Sequence, residues 1–274
     1  MLPNFLIIGA PKAATTWLAD CLREHPDIFI PELKELRYFC GANHGKGLAW
    51  YQQHFDEAQG AAVVGEASPS YLGSLAAPQR IHELLPQARL ILSLRHPVDQ
   101  AYSFYWHLMS RGHISCNTEF SRFFVEQRPR AGYYGYNVSR YLEYFDSSQM
   151  LILVYEKDVQ PDPSLGIKRC QAFLGVDTTH IPSVLVQRRN AGKDIRVLNG
   201  PAQMVRKAIN YLPRSLTRSV KRLGRISLQM LPARTRYRPL DFALRRQLAR
   251  EYCLSDIKRL EGMAGMDLSV WYDG

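Results

Sequence analysis

The chain has no apolar run of the roughly 18 residues that a membrane span needs, and no basic segment precedes its first apolar stretch at Phe5. Neither a signal peptide nor an anchor helix is therefore expected, and the expected location is the cytoplasm. Cysteine is scarce: Cys21, Cys40, Cys116, Cys170 and Cys253 are odd in number and widely scattered. With no C-x-x-C pair and no Cys/His cluster, neither a disulfide framework nor a zinc site is expected. Reduced thiols are the simplest reading, with Cys21 and Cys170 as small buried hydrophobes on helix faces. Internal repeats are absent. Acidic residues are missing from one long stretch. Residues 195–240 hold eleven Lys and Arg and no Asp or Glu. Subtracting those eleven from the chain's 35 leaves 24 basic residues against 25 acidic ones elsewhere. The net charge of +10 therefore resides in this stretch. Its leucines and prolines predict short basic amphipathic helices. They could form a lid over a ligand, a surface for anionic membranes or glycans, or a solvated excursion.

The first segment to carry chemistry also lacks something. Residues 5–18 read FLIIGAPKAATTWL: an apolar strand, a tight turn with Lys12, then Thr15-Thr16 opening a helix. Backbone N–H groups at a helix start, with the positive end of the dipole, make an anion site. The nucleoside-triphosphate loop ends in Gly-Lys-[Ser/Thr], whose hydroxyl holds Mg²⁺. Here Lys12 lies three residues before Thr15, and the second glycine is missing. The anion-holding geometry is encoded without the magnesium-holding one. A mononucleotide with a charged 5′ end, handled without metal, fits better than ATP. The alternative is an ordinary strand-to-helix turn with a surface lysine.

A second segment supports the first. Arg89–Leu94 (RLILSL) is a buried-looking strand, followed by RHPVDQAYS over 95–103. Pro97 suits the first turn of a helix. Arg95 then sits at the carboxyl end of a strand, where open α/β sheets bind ligands. Ser103 follows about two helical turns on. An arginine fork and a serine hydroxyl suit a phosphate monoester.

Together these segments resemble the sulfotransferase family that uses 3′-phosphoadenosine 5′-phosphosulfate (PAPS). Residues 5–18 are similar to its 5′-phosphosulfate loop and 89–107 to its 3′-phosphate segment. Val64–Leu72 (VGEASPSYL) is similar to its G-E-x-[ST]-P-x-Y stretch, and Gly135–Asp158 to a later G-x-Y…YED region. The resemblance covers residues 4–180 and is nearest to bacterial and Golgi carbohydrate enzymes. Golgi members carry a membrane anchor.

The resemblance implies a donor, PAPS, a product, 3′,5′-ADP, and no metal. It implies that Lys12 contacts the bridging oxygen and leaving phosphate. Thr15 and Thr16, with N–H groups from Ala13, Ala14, Thr15, Thr16 and Trp17, would cradle the 5′-phosphate. Arg95 and Ser103 would hold the 3′-phosphate. Glu35, in PELKELRYF over 31–39, resembles the glutamate base of glycan sulfotransferases, with Glu66 as the rival; a loop ion pair is the plain alternative for Glu35. A late basic loop in the family folds over the nucleotide, which here points to Arg188, Arg189 or Lys193. Three positions depart from the pattern. Ala14 replaces a glycine, at a cost if its φ is positive. Gln100 replaces a frequent basic residue, and Ala67 stands where some glycan enzymes carry lysine.

The expected fold is one α/β domain over 1–274, like the phosphate-loop NTPases: a central parallel sheet with helices on both faces. Residues 1–194 would form its nucleotide-binding core, 195–240 a basic helical lid, and 241–274 a tail led by one helix over 241–262. Strands are expected at 5–9, 28–30, 61–65, 89–94 and 150–155. Helices are expected at 15–25, 46–55, 76–85, 97–111, 118–127, 137–146 and 163–174. The acceptor would be a glycan, lipid or small metabolite, and nucleic acid is not expected. Trp50, Tyr51, Tyr105 and Trp106 suit stacking on a sugar or aromatic ring, and equally suit a core. Two other readings stay open. A small-molecule kinase would need Mg²⁺. A non-catalytic nucleotide- or polyanion-binding protein would work through residues 195–240.

Overall fold

The computed structural model describes residues 1–58, 60–128, 130–160, 162–185 and 237–272. The expected lid, except residues 237–240, and Arg188, Arg189 and Lys193 lie outside them. Five strands form one parallel sheet: β1 Phe5–Gly9, β2 Ile28–Phe29, β3 Val63–Ala67, β4 Arg89–Leu94 and β5 Met150–Val154, ordered β2-β3-β1-β4-β5. Every residue of β1 and β3 is buried, as expected for strands covered on both faces. Register aligns Phe5 with Gly65 on one side and Arg89 on the other. A Cβ at Gly65 would run into the Phe5 ring, so glycine is needed for the close approach.

The helices are α1 Thr15–Arg23, α2 Leu48–Gln52, α3 Ala77–Leu84, α4 Pro97–Ser110, α5 Phe120–Gln127, α6 Tyr134–Tyr141, α7 Pro163–Leu174, α8 Phe242–Tyr252 and α9 Leu254–Ala264. Among the described residues, none is long and apolar enough to cross a membrane. α1 and α7 meet over a core in which Cys21 and Cys170 are buried among Phe5, Ile7, Ile91 and Leu153. Among the described residues neither forms a disulfide, and both behave as small hydrophobes.

Three expected elements differ. The helix expected over 46–55 is confined to α2 between 3₁₀ turns, because Gly47 precedes it at φ 83°. The helix expected from 137 begins at Tyr134: Asp256 of α9 accepts from the Gly135 and Tyr136 N–H groups at 3.0 and 2.8 Å. The single helix expected over 241–262 is two helices joined at Cys253. This lets Leu248 and Ala249 of α8 and Ile257 and Leu260 of α9 all be buried.

The chain forms two compact units. One comprises Met1–Gln100, Pro129–Arg189 and Arg245–Gly274 and contains the sheet; the other comprises Ala101–Arg128 and Asn190–Leu244. Within the second, Tyr102, Tyr105, Phe120 and Phe123 pack ring against ring. Tyr105 and Trp106 are therefore core residues of that unit, with less than a tenth of their surface exposed.

Candidate active site

The chain leaves β1 toward β3 on one side and returns to β4 on the other, so β1 is where the strand order reverses. Ligands bind at the carboxyl edge beside such a point. The edge is tightly tied. Ala10 N–H donates to the Ser93 carbonyl at 2.8 Å, Ser68 N–H to Ile7 at 3.1 Å and Leu72 N–H to Ile8 at 2.8 Å. The ends of β1, β3 and β4 thus come together, as expected from the motifs.

The turn after β1 has the shape of an anion cradle. Lys12 and Ala14 both adopt left-handed backbone, at φ 69° and 63°. Ala14 caps α1 without any side-chain hydrogen bond to it. The first N–H groups of a helix have no intrahelical partner, and among the described residues those of Thr15, Thr16 and Trp17 meet no other backbone acceptor, which suits an anion. The glycine the family favours at Ala14 would avoid the left-handed penalty. Gln100, fully buried on α4, donates from Nε2 to the Pro11 carbonyl at 2.9 Å. The residue that replaces a frequent base thus braces the turn. The Trp17 indole is turned elsewhere, donating to Leu185 at 3.1 Å.

Beside this turn, Arg95 follows β4. Its guanidinium lies 5.2 Å from the Tyr155 ring centre, and its carbonyl accepts from the Tyr134 hydroxyl at 2.9 Å. Its Nε is buried and meets no hydrogen-bond partner among the described residues. Next to it, His96 N–H donates to Glu156 at 2.9 Å, and Trp271 Nε1 donates to the other Glu156 oxygen at 2.8 Å. Burial, then the Arg245 charge, hold the His96 imidazole down at about 4, so it is neutral at pH 7. Ser103 is half-buried on α4, in the second unit.

The loop with Glu35 lies along α1 and β3. Arg23, on the last turn of α1, donates to the Ile30 and Pro31 carbonyls at 3.0 and 3.1 Å. Glu35 N–H donates to Ala67 at 3.0 Å, and Arg37 N–H to Ser68 Oγ at 3.0 Å. Glu35 and Arg37 are left-handed, at φ 62° and 51°, and their side chains form an ion pair. The plain loop pairing is thus present. About a third of the Glu35 side chain remains exposed (37%).

Glu66 is different. It is 2% exposed, and both its oxygens are engaged. Tyr71 and Tyr51 donate to Oε1 at 2.5 and 3.1 Å, and Ser68 donates to Oε2 at 3.1 Å. Burial pushes its carboxyl up to about 7 against these hydrogen bonds. Glu66 organises three elements from inside the core. Tyr51 is consumed by this network and fully buried, whereas Trp50 is half-buried with the Lys46 ammonium 4.2 Å from its ring centre.

One residue escaped the sequence reading. Lys34 donates from Nζ to Thr16 Oγ1 at 2.5 Å. Its signal was a lysine next to Glu35 in the same short motif, but its partner is 18 positions away.

A parallel sheet with a lysine-bearing anion turn at the edge of its middle strand defines a nucleotide-binding α/β protein of the phosphate-loop type. Residues 2–191 match the family model described as a sulfotransferase domain, and the chain belongs to that family. The chain is 33% identical over 196 residues to bovine bifunctional heparan sulfate N-deacetylase/N-sulfotransferase 2, a match covering 64% of this chain and 22% of that protein. The Caenorhabditis elegans N-deacetylase/N-sulfotransferase 1 is 26% identical, over 73% of this chain and 25% of its own. The chain thus spans about a quarter or less of the length of these curated relatives. Among solved structures, a sulfotransferase from Alicyclobacillus acidocaldarius superposes with a TM-score of 0.71 at 26% identity, covering 99% of both chains. A sulfotransferase domain from the curacin biosynthetic pathway shares the fold, with a TM-score of 0.53 at 15% identity.

Proposed function

We propose that this chain transfers the sulfuryl group of PAPS to a hydroxyl or amine of an acceptor, forming a sulfate ester or sulfamate and 3′,5′-ADP. The observation that carries the reading is the Lys12 turn. It is a helix N-terminus entered through a turn that carries a lysine, braced by Gln100 and tied to β4, the strand that Arg95 follows. The donor set suits a nucleotide with phosphate at both ends, since the Arg95 Nε is buried with no hydrogen-bond partner among the described residues.

When bound, PAPS supplies the electrophilic sulfuryl group and a phosphate as leaving group. The N–H groups of Thr15, Thr16 and Trp17 and the hydroxyls of Thr15 and Thr16 hold the 5′-phosphate, and Lys12 neutralises the charge that develops on it. The Ala13 N–H, expected in the cradle, instead donates to the Ala10 carbonyl at 3.2 Å and closes the turn. Such positioning and charge stabilisation supply most of the rate in related phosphoryl transfers. Arg95 and Ser103 are assigned to the 3′-phosphate, the latter from its spacing in the sequence. Arg188, Arg189 and Lys193 are assigned to the nucleotide on the family pattern alone. Glu35 takes the acceptor proton. Its loop is anchored at four backbone points and leaves the carboxylate reachable, whereas Glu66 is sealed in the core. No metal takes part in this scheme.

The similarity to heparan sulfate N-sulfotransferases, with the eleven basic residues of 195–240, favours an anionic glycan as the acceptor. The test uses ³⁵S-labelled PAPS, an N-deacetylated heparosan acceptor and a chelator. Labelled glycan with stoichiometric 3′,5′-ADP is expected. No binding of 3′,5′-ADP and no release of it with any glycan would overturn the proposal.

A further inference from the structure

α1 carries Thr16, Asp20 and Arg23 at i, i+4 and i+7, a single polar stripe along the helix. The loop after β2 lies against this stripe. Arg23 donates to the Ile30 and Pro31 carbonyls and to Asp20, the last at 2.8 Å. Three residues beyond Pro31, Lys34 reaches the top of the stripe and donates to Thr16 Oγ1 at 2.5 Å. Thr16 is the second residue of a helix whose N-terminus is the proposed phosphate cradle. The loop that holds Glu35 therefore places a second ammonium at the same helix end as Lys12.

A hydroxyl has one hydrogen and two lone pairs. Once a lone pair of Thr16 accepts from an ammonium, its hydrogen is left to donate elsewhere, and an anion at the helix end is the partner it suits. We propose that Lys34 is a positioning residue for the phosphate cradle: it holds Thr16 as a donor toward the 5′-phosphate and adds positive charge beside it. This couples the loop of Glu35 to the nucleotide, so the acceptor side and the donor side share one contact. Burial, helped by the Arg23 and Lys12 charges, holds the Lys34 ammonium below its ordinary range, with Glu35 and Asp20 opposing. A bound dianion would offset that cost. The inference rests on the proposed nucleotide site, and its own content is the action of Lys34 through Thr16.

The test is calorimetric binding of 3′,5′-ADP to the full chain, wild type and variants Lys34→Met, Thr16→Val, the double variant and Thr16→Ser. A charge-assisted hydrogen bond predicts about 10- to 100-fold weaker binding for Lys34→Met. The double variant is expected to bind no more weakly than the weaker single one. Thr16→Ser, which keeps the hydroxyl, is expected to bind within a few-fold of wild type. KM for PAPS should rise with the dissociation constant. If the two single losses multiply in the double variant, or if Lys34→Met binds like wild type, the inference is wrong while the nucleotide site stands. If the wild type binds no 3′,5′-ADP, the site and the inference fall together. A urea midpoint for each variant identifies misfolding, and should Lys34→Met not fold, Thr16→Val against Thr16→Ser decides. Equal affinity of those two would overturn the role.

Discussion

Glu66 is a buried carboxyl that titrates near neutrality, and this makes a stability prediction. Its carboxyl moves from 4.5 to about 7 on folding, because burial outweighs the hydrogen bonds from Tyr71, Ser68 and Tyr51. Each tenfold change in proton affinity is about 1.4 kcal/mol. The folded state therefore pays about 3 kcal/mol to keep Glu66 ionised well above pH 7, with no discount for solvent because the group is fully buried. The sign follows from proton counting. Between pH 4.5 and 7 the folded chain binds more protons than the unfolded one, so stability falls as pH rises through that window. Below and above the window the contribution is flat. Glu66→Gln removes the titration and keeps an acceptor for both tyrosines. The other titrating groups are common to both proteins and cancel in the difference. Urea unfolding of both at pH 4, 5, 6, 7 and 8, by the linear dependence of stability on denaturant, gives that difference directly. The variant should gain about 3 kcal/mol on wild type between pH 4 and pH 8. A difference that stays constant across the range would refute the buried-carboxyl reasoning.

Other predictions are local. Ala14→Gly relieves the left-handed cap of α1 and should raise stability by about 0.5–1 kcal/mol, read as a higher urea midpoint. Gly65→Ala puts a methyl group into the Phe5 ring and should cost about 1–3 kcal/mol by the same measurement. Glu35→Gln should bind 3′,5′-ADP like wild type while kcat falls about 10²- to 10⁴-fold; an unchanged kcat would remove Glu35 as the base.

The parts of the fold legible in the sequence are those set by local pattern. β1 is an unbroken apolar run, and β4 is apolar apart from its first residue, Arg89, and Ser93, because both faces of a parallel strand are covered. The turn at Lys12 and the proline-led start of α4 depend on neighbouring residues alone. Ala14 was legible too, since a methyl group in place of a family glycine marks a position whose backbone is in question. What escaped depends on partners far along the chain. α6 starts early because Asp256, about 120 positions away, accepts from its N-terminus. Glu66 resembled a rim carboxylate by its position at a strand end, but Tyr51 and Tyr71 close over it. Tyr51 could pass for a stacking residue for the same reason. Lys34 is marked in the sequence only by its place beside Glu35, and it is the stripe on α1 that brings it to Thr16. Gln100 reads in the sequence as a lost cation, and its role depends on a carbonyl 89 positions earlier.

The displaced lysine of the phosphate turn is the centre of the account, and Lys12→Ala tests it most directly. With ³⁵S-labelled PAPS and an accepting glycan, the variant should keep the wild-type unfolding free energy in urea to within about 1 kcal/mol and lose about 10²- to 10³-fold in turnover. Near-normal turnover of the folded variant would contradict the mechanism.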